Sequence, residues 1–526
     1  MQDNSDAAHS SKANSGIGTN RSAGTTQSEQ HLASLCERTF LNLWSYPNVY
    51  RDQGKKSTGV GKELADLLVV CGNHVVIFSD KKIIFKNTGN TPVDWSRWCR
   101  RAILNSAAQL SGAERWLDHA DRLYLDAHCT QSFPIALPNP SQRRVHLVVV
   151  ALGAGEACRK FFDGGSGSLM IFPQLTSEII ANPKDPENIP FAIGDLHPDR
   201  SFVHVLDDVT LDLILTELDT ITDFVNYLEK KERFIRSGHL SYAAGEEELL
   251  SYYVIHLDKD KEHNFTSPTK GGWKQRDFLT LEEGGWAEVH VNPQYVAKKK
   301  ADEISYMWDD LVSTFTTHML NGTSLAYDDN FDLKQPGAVK LDISYHERAI
   351  RYMALESRFR RRVLSAQIYE AINRASPNLR YARIIPPGPD PASTAYVFLQ
   401  FPRSPEDSDY ASYRKRRHIT AYAYCMALKS DHLEYIRVIG IATEPPLFNK
   451  NSFVSEDLVL LECDEWTSEM QMEADRLRES LQILQPDSIK SHHFSANEYP
   501  EPPRPSRADR RRQQREQRKR EKRGRK

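Results

Sequence analysis

No stretch of this 526-residue chain approaches the roughly 18 to 20 consecutive apolar residues that a membrane-spanning helix needs, so no such span is expected. The first thirty residues have no apolar core either. They are mostly Ser, Asn, Gly, Gln and Thr, and nothing in them reads as a secretory signal. The two absences lead to the expectation of an intracellular, cytoplasmic protein. Cysteine is scarce: seven residues lie far apart and never form the CxxC pair of zinc knuckles, so neither a disulfide framework nor structural zinc is expected.

Several patterns that carry mechanisms are also missing. Gly61-Lys62 is no phosphate-binding loop, because Glu63 stands where Ser or Thr would hold magnesium and Lys56 stands where the first glycine belongs. The run Gly164-Gly165-Ser166-Gly167-Ser168 ends in serine and misses the GxSxG of hydrolases by one residue. No histidines have HExxH or zinc spacing, so His128, His492, His493 and the others read as surface or core residues. Gly245 followed by Glu246, Glu247 and Glu248 reads as a helix start, where the dipole favours acids. ATP hydrolysis, serine hydrolysis and zincin chemistry are thereby excluded from the expectation.

What is present is globular: 40% hydrophobic and 26% charged residues, in a chain long enough for two or three folded units plus tails. The net charge of −3 hides an asymmetry. Residues 507–526 hold twelve Lys or Arg against three acids, which leaves about −12 for everything else. Such a segment cannot bury a core face and reads as a mobile cationic arm. Arg510, Arg511, Arg512, Arg518, Lys519 and Arg520 are its candidate phosphate contacts, since a basic arm neutralises nucleic-acid charge in a salt-dependent way.

Periodicity divides the rest. Residues 1–28 read as a disordered N-terminal segment, 29–165 as a mixed α/β unit, 166–376 as a mainly helical middle region, 377–486 as a C-terminal α/β domain, and 487–526 as a disordered basic tail. Leu32, Leu35, Cys36, Phe40, Leu43 and Trp44 recur at helical spacing, with Pro47 as the stop. Residues 67–71 and 75–79 form a β-hairpin pattern across Gly72-Asn73-His74. After Asp94, a candidate N-cap, residues 95–117 read as a long helix, and 146–152 as a strand. One amphipathic helix is expected over 211–234, and an arginine-rich one, with Arg358, Arg360, Arg361 and Arg362, over 346–375.

The informative stretch runs from Gly61 to Lys82. Glu63 and Asp66 stand at the start of an apolar strand, and a hairpin returns a second strand ending in Asp80, Lys81 and Lys82. Carboxylates and an ammonium thus meet at one edge of an apolar sheet. Phosphodiester hydrolysis needs a hard divalent ion, which carboxylate oxygens hold, and a cation that orients the attacking water or stabilises developing charge.

This arrangement resembles the PD-(D/E)xK, or restriction-endonuclease-like, nucleases over roughly residues 32–153. That family combines a helix-borne Glu, an Asp at a strand start and a (D/E)xK on the adjoining strand. The resemblance implies a mixed sheet flanked by helices, a Mg²⁺ (or Mn²⁺) ion held by Glu63, Asp66 and Asp80, and Lys81 or Lys82 acting on the water. Read as DxK, the pair is Asp80 with Lys82. Read by hairpin length, it is Ser79-Asp80-Lys81, with serine in the acid's place, and Lys81 is preferred. The partner implied is nucleic acid, DNA by family analogy, in defence or repair. The alternative is a catalytically inactive nucleic-acid-binding or scaffold protein. Gln109 is a further candidate contributor; the C-terminal α/β unit and the arginine-rich helix near Arg358 to Arg362 would present substrate or partner proteins, with protein partners through the middle and C-terminal regions, and a homo-oligomer is a further candidate assembly.

Overall fold

The computed structural model describes residues 21–119, 122–320, 343–388, 394–405, 407–445, 456–463 and 465–502. The six basic residues from Arg510 to Arg520 expected to touch phosphates lie outside them. Among the described residues, no helix is long and apolar enough to cross a membrane.

Folding of the first unit begins with a capped helix, α1 (Gln27–Phe40). The Thr26 hydroxyl accepts the Glu29 N–H, and the Glu29 carboxylate returns to the N–H groups of Thr25 and Thr26, which satisfies donors the helix leaves open. The helix ends at Leu41, before Trp44. Pro47 is therefore not its stop; it lies inside an unexpected strand, β1 (Ser45–Arg51). Proline is tolerated there because β1 is the edge of its sheet. A short helix, α2 (Lys55–Thr58), leads into β2 (Lys62–Cys71), and the chain turns at Gly72-Asn73 into β3 (His74–Lys82). Gly72 has φ +60°, a backbone geometry that glycine adopts without strain.

The long helix is present but starts earlier and is interrupted. Asn90 caps α3 (Thr91–Cys99); a π-helical turn over Arg100–Leu104 joins it to α4 (Asn105–Leu117). Asp94 is not the cap. It is buried in the first turn, where it accepts hydrogen bonds from the Thr88 N–H and hydroxyl. Next come β4 (Arg144–Leu152), α5 (Gly155–Phe161), β5 (Met170–Ile171), α6 (Ser177–Ala181), β6 (Ala192–Ile193) and β7 (Val203–Leu206). The main sheet has the order β1-β2-β3-β4-β7: β1, β2 and β3 are antiparallel neighbours, while β4 and β7 run parallel to β3. Its fifth strand thus comes from residues 203–206, beyond the first α/β stretch.

The single helix expected over 211–234 is two, α7 (Thr210–Glu217) and α8 (Ile221–Arg236). Thr220 caps the second one, accepting the Asp223 N–H, so the break has a local cause. Phe78 of β3 meets Phe40 of α1 and Phe224 of α8, which places both helices on one face of the sheet. A second, small sheet has the order β6-β5-β8-β9, with β8 (Leu240–Ala243) and β9 (Leu279–Leu281) around α9 (Glu246–Ile255). The three acids that begin α9 are all buried and held by more than a dipole, although Glu247 Oε2 is left without a hydrogen-bond partner. Glu246 accepts from Lys231 Nζ at 2.5 Å and Tyr227 Oη at 2.8 Å, and Glu247 from Ser168 Oγ at 2.6 Å.

The helical middle region closes with α10 (Gly285–His290), α11 (Pro293–Asp302), α12 (Tyr306–Leu320), α13 (Ile343–Ala354) and α14 (Arg358–Arg374). The arginines of α14 do not form a presenting face. Arg358, Arg361 and Arg362 are buried and paired with Asp219, Asp309 and Asp302 at 2.6–2.9 Å. The C-terminal α/β domain comprises β10 (Tyr381–Ile385), β11 (Thr394–Gln400), α15 (Tyr410–Asp431), β12 (Arg437–Thr443), β13 (Glu456–Glu462) and α16 (Ser468–Leu481), with the strands in sequence order. Period-2 alternation splits its sheet between two cores. Tyr396, Phe398, Ile439 and Ile441 join the core of the preceding regions, while Val397, Leu399, Val438 and Ala442 pack in a separate cluster with residues of α15 and α16.

Candidate functional site

The ladder between β2 and β3 runs from Cys71↔His74 to Leu67↔Phe78 and goes no further. Beyond it the strands part, and Asp66 fills the fork. Its Oδ2 accepts the Asp80 N–H at 2.6 Å, Lys81 Nζ at 3.1 Å and Ser79 Oγ at 3.3 Å. Lys81 Nζ also reaches the Asp80 carbonyl at 2.9 Å. Ser79 and Lys81 share one face of β3 by strand alternation, and both touch Asp66; Asp80 and Lys82 belong to the other. Lys82 is exposed, while Lys81 is half-buried against a buried carboxylate.

Asp80 shares its strand face with Phe78, the face on which α1 packs. Asp80 is only 4% exposed, and its Oδ1 is buried without a hydrogen-bond donor. Burial pushes this carboxyl up to about 6, and the nearby charges of Asp66 and Glu29 push the same way against Lys81. The Ser28 hydroxyl stands close by but makes no hydrogen bond of acceptable geometry. Burial also raises the Glu63 carboxyl, and Asp66 and Glu29 add to that, while a hydrogen bond from Asn48 Nδ2 at 3.0 Å and the charge of Lys81 oppose it.

Two members of this cluster were not singled out in the sequence. Glu29, from the first turn of α1, is the helix-borne acid; Glu63 lies in β2. Asn48 links them, its Nδ2 reaching Glu63 Oε1 and also Glu29 Oε2 at 3.4 Å. Asn48 has φ +51° beside a register shift in the β1–β2 pairing, a conformation asparagine adopts more readily than most residues. The signal for Glu29 was available: Thr26-Gln27-Ser28-Glu29 before an apolar run is a capping-box pattern. Gln109 is exposed, outside the buried stripe of α4.

The donor chemistry suits a hard cation: an orphaned buried carboxylate oxygen on Asp80, with Glu63, Asp66 and Glu29 around it. It is not a preassembled cage. Among the described residues, the one group of three His, Cys, Asp or Glu side chains with ligand atoms all within 4.8 Å of one another lies elsewhere, at His74, His146 and Glu229. This cluster could chelate a divalent metal. His74 Nδ1 and His146 Nε2 are 3.1 Å apart, and burial lowers both imidazoles, His146 to about 3, so both are neutral at pH 7. His146 is buried and His74 half-buried, as expected of core or surface histidines; their juxtaposition adds a candidate site that no spacing rule could reveal, since they lie 72 positions apart in sequence.

Comparison of the chain with protein-family models, with curated proteins and with solved structures finds no match in any of the three.

Proposed function

We propose that the N-terminal unit is a restriction-endonuclease-like fold and that the protein is a Mg²⁺- or Mn²⁺-dependent nuclease hydrolysing phosphodiester bonds, in DNA. The order of helix, three antiparallel strands, helix and parallel strand supports the family reading. The observation that carries the function is the fork where buried Asp66 holds the Lys81 ammonium at 3.1 Å, with the orphaned Asp80 oxygen on the other strand face near enough to feel both charges. Asp66, Asp80 and Glu63 would hold the ion. Mg²⁺ keeps several waters and uses one or two carboxylates, so direct convergence of all three is not required. When bound, the ion polarises the phosphoryl oxygen and lowers the pKa of the attacking water. Asp66 fixes Lys81 in place, and Lys81 orients that water and offsets charge developing on the phosphate. Glu29 and Glu63, bridged by Asn48, keep the local field negative and favour cation entry.

Ser79 favours a second reading. A hydroxyl stands beside Asp66 where the family has its acid, and Asp66 Oδ2 already accepts three hydrogen bonds, so the fold could serve as a non-catalytic nucleic-acid-binding scaffold. Cleavage of plasmid and single-stranded DNA with Mg²⁺ or Mn²⁺ separates the two. Asp66→Ala and Lys81→Ala are each expected to lower the rate by about 10²–10³-fold. Lys82→Ala and deletion of residues 507–526 are expected to leave cleavage in place. Binding without cleavage, abolished by that deletion, would establish the scaffold instead.

A further inference from the structure

The parallel β3–β4 register pairs His74 with Arg144 and Val76 with His146, so His74 and His146 project from neighbouring strands on one face of the sheet. Phe78, two pleats further along, shares that face and meets Phe224 of α8. The face is therefore roofed by α8, and Glu229 reaches the two imidazoles from that roof. We propose that His74, His146 and Glu229 form a binding site for a zinc-class transition-metal ion, with a fourth position open to water. It is separate from the acidic fork of β2 and β3.

The two nitrogens already stand near the spacing of a loaded site, and the Glu229 oxygen lies within 4.8 Å of both. Two nitrogens bound to tetrahedral zinc at about 2.0–2.1 Å lie about 3.3 Å apart. His74 Nδ1 and His146 Nε2 are 3.1 Å apart, so the rings need to open by only a few tenths of an ångström. The carboxylate completes a two-nitrogen, one-oxygen set. Imidazole ligands suit zinc, copper, iron and nickel, whereas Mg²⁺ prefers oxygen alone, so this site and the acidic fork differ in the metal they select. His146 is buried, while His74 and Glu229 are partly exposed, which gives the ion a route of entry.

One cation already contests the site. Arg144 Nη1 lies 3.4 Å from Glu229 Oε1, but the arginine side chain is 63% exposed, and such surface pairs are weak and easily exchanged. The fork residues Asp80 and Lys81 stand at the other end of β3, about 20 Å away at 3.3 Å per residue, so changes at one site should leave the other alone. A loaded site would tie β3 and β4 to α8.

The test uses the full-length protein, stripped with chelator and titrated with Co²⁺ and Zn²⁺, with uptake followed by the cobalt d–d absorption and by calorimetry. One equivalent is expected to bind, with a rise in melting temperature. His74→Gln and His146→Gln should abolish it, and Glu229→Gln should weaken it by at least about tenfold, the loss that removing even an outer partner of a metal ligand causes. Lys82→Ala, outside both sites, should bind like wild type, and Arg144→Gln should bind a few-fold tighter. Circular dichroism of each metal-free variant checks folding; should the buried His146 variant not fold, the half-exposed His74 and Glu229 variants decide. No saturable uptake would mean that the two imidazoles merely hydrogen-bond to each other. Uptake undiminished in His74→Gln or in Glu229→Gln, or lost only with Asp66→Ala, would also overturn the assignment.

Discussion

Asp309→Ala is expected to lower the free energy of unfolding by about 3–5 kcal/mol, the cost of leaving a buried charge without its partner. Asp309 accepts from Arg361 Nη1 at 2.6 Å and from Arg358 Nη1 at 2.8 Å. Arg361 is 1% exposed; its other hydrogen bonds go to the carbonyls of Ala354 and Glu356, and the largely buried Glu356 carboxylate is a second negative charge near it, which places the expected loss at the lower end of that range. Arg358 retains Asp219 at 2.8 Å, so most of the loss should fall on Arg361. The exposed pair Lys160–Glu156 is the internal control. Its side chains are 75% and 78% exposed, and Glu156→Ala should leave the unfolding midpoint essentially unchanged. Urea unfolding of the two variants against wild type measures both numbers. A loss below about 1 kcal/mol for Asp309→Ala would mean that water reaches Arg361 in the variant.

The same network shows why the arginines of α14 were misread. A run of Arg with few acids nearby in sequence looks like a solvated or presenting face, because the acids that neutralise it lie 49 to 139 positions away. Pairing at that distance leaves no local trace. The break between α7 and α8 did leave one: Thr220 followed by Asp223 three residues later is a cap pattern, but a continuous apolar stripe from Leu211 to Leu228 hid it. Strand β1 was lost for the opposite reason. Pro47 reads as the stop of the preceding helix, and only the edge position of the strand makes proline acceptable there.

The fork was legible where its parts are close in the chain. Asp66, Asp80 and Lys81 sit within one hairpin, so hairpin length and strand alternation alone brought Asp66 and Lys81 to one place. Alternation also separates Ser79 and Lys81 from Asp80, which is why Asp80 holds the fork through its backbone N–H while its carboxyl turns toward α1. Glu29 and Asn48 needed the packing of α1 and the left-handed turn of β1, and neither is encoded in the spacing of the acids they join.

Asp80→Asn is expected to stabilise the metal-free protein at pH 8 and to do little at pH 4. The folded carboxyl, pushed up to about 6 by burial, still binds its proton between about pH 4 and pH 6, where an unfolded chain has largely lost it. Its contribution to stability is therefore present in full below about pH 4 and is lost as pH rises through 6. Keeping this carboxylate charged in its buried setting costs about 3 kcal/mol by pH 8, and the amide, which carries no charge, escapes that cost. Asp207, also buried and raised to about 6, titrates in the same window. The slope of the wild-type curve mixes these two with other shifted groups, Glu63, Glu248, His74 and His146 among them, and the wild-type minus Asp80→Asn difference isolates Asp80. Saturating Mg²⁺ supplies the counter-charge that Asp80 lacks, so it should raise the wild-type melting temperature at pH 8, fail to do so at pH 5, and leave Asp80→Asn nearly unmoved at both. If the difference between wild type and variant is the same at pH 4 and pH 8, the carboxylate is hydrated in solution. The driving force for cation entry at the fork is then absent.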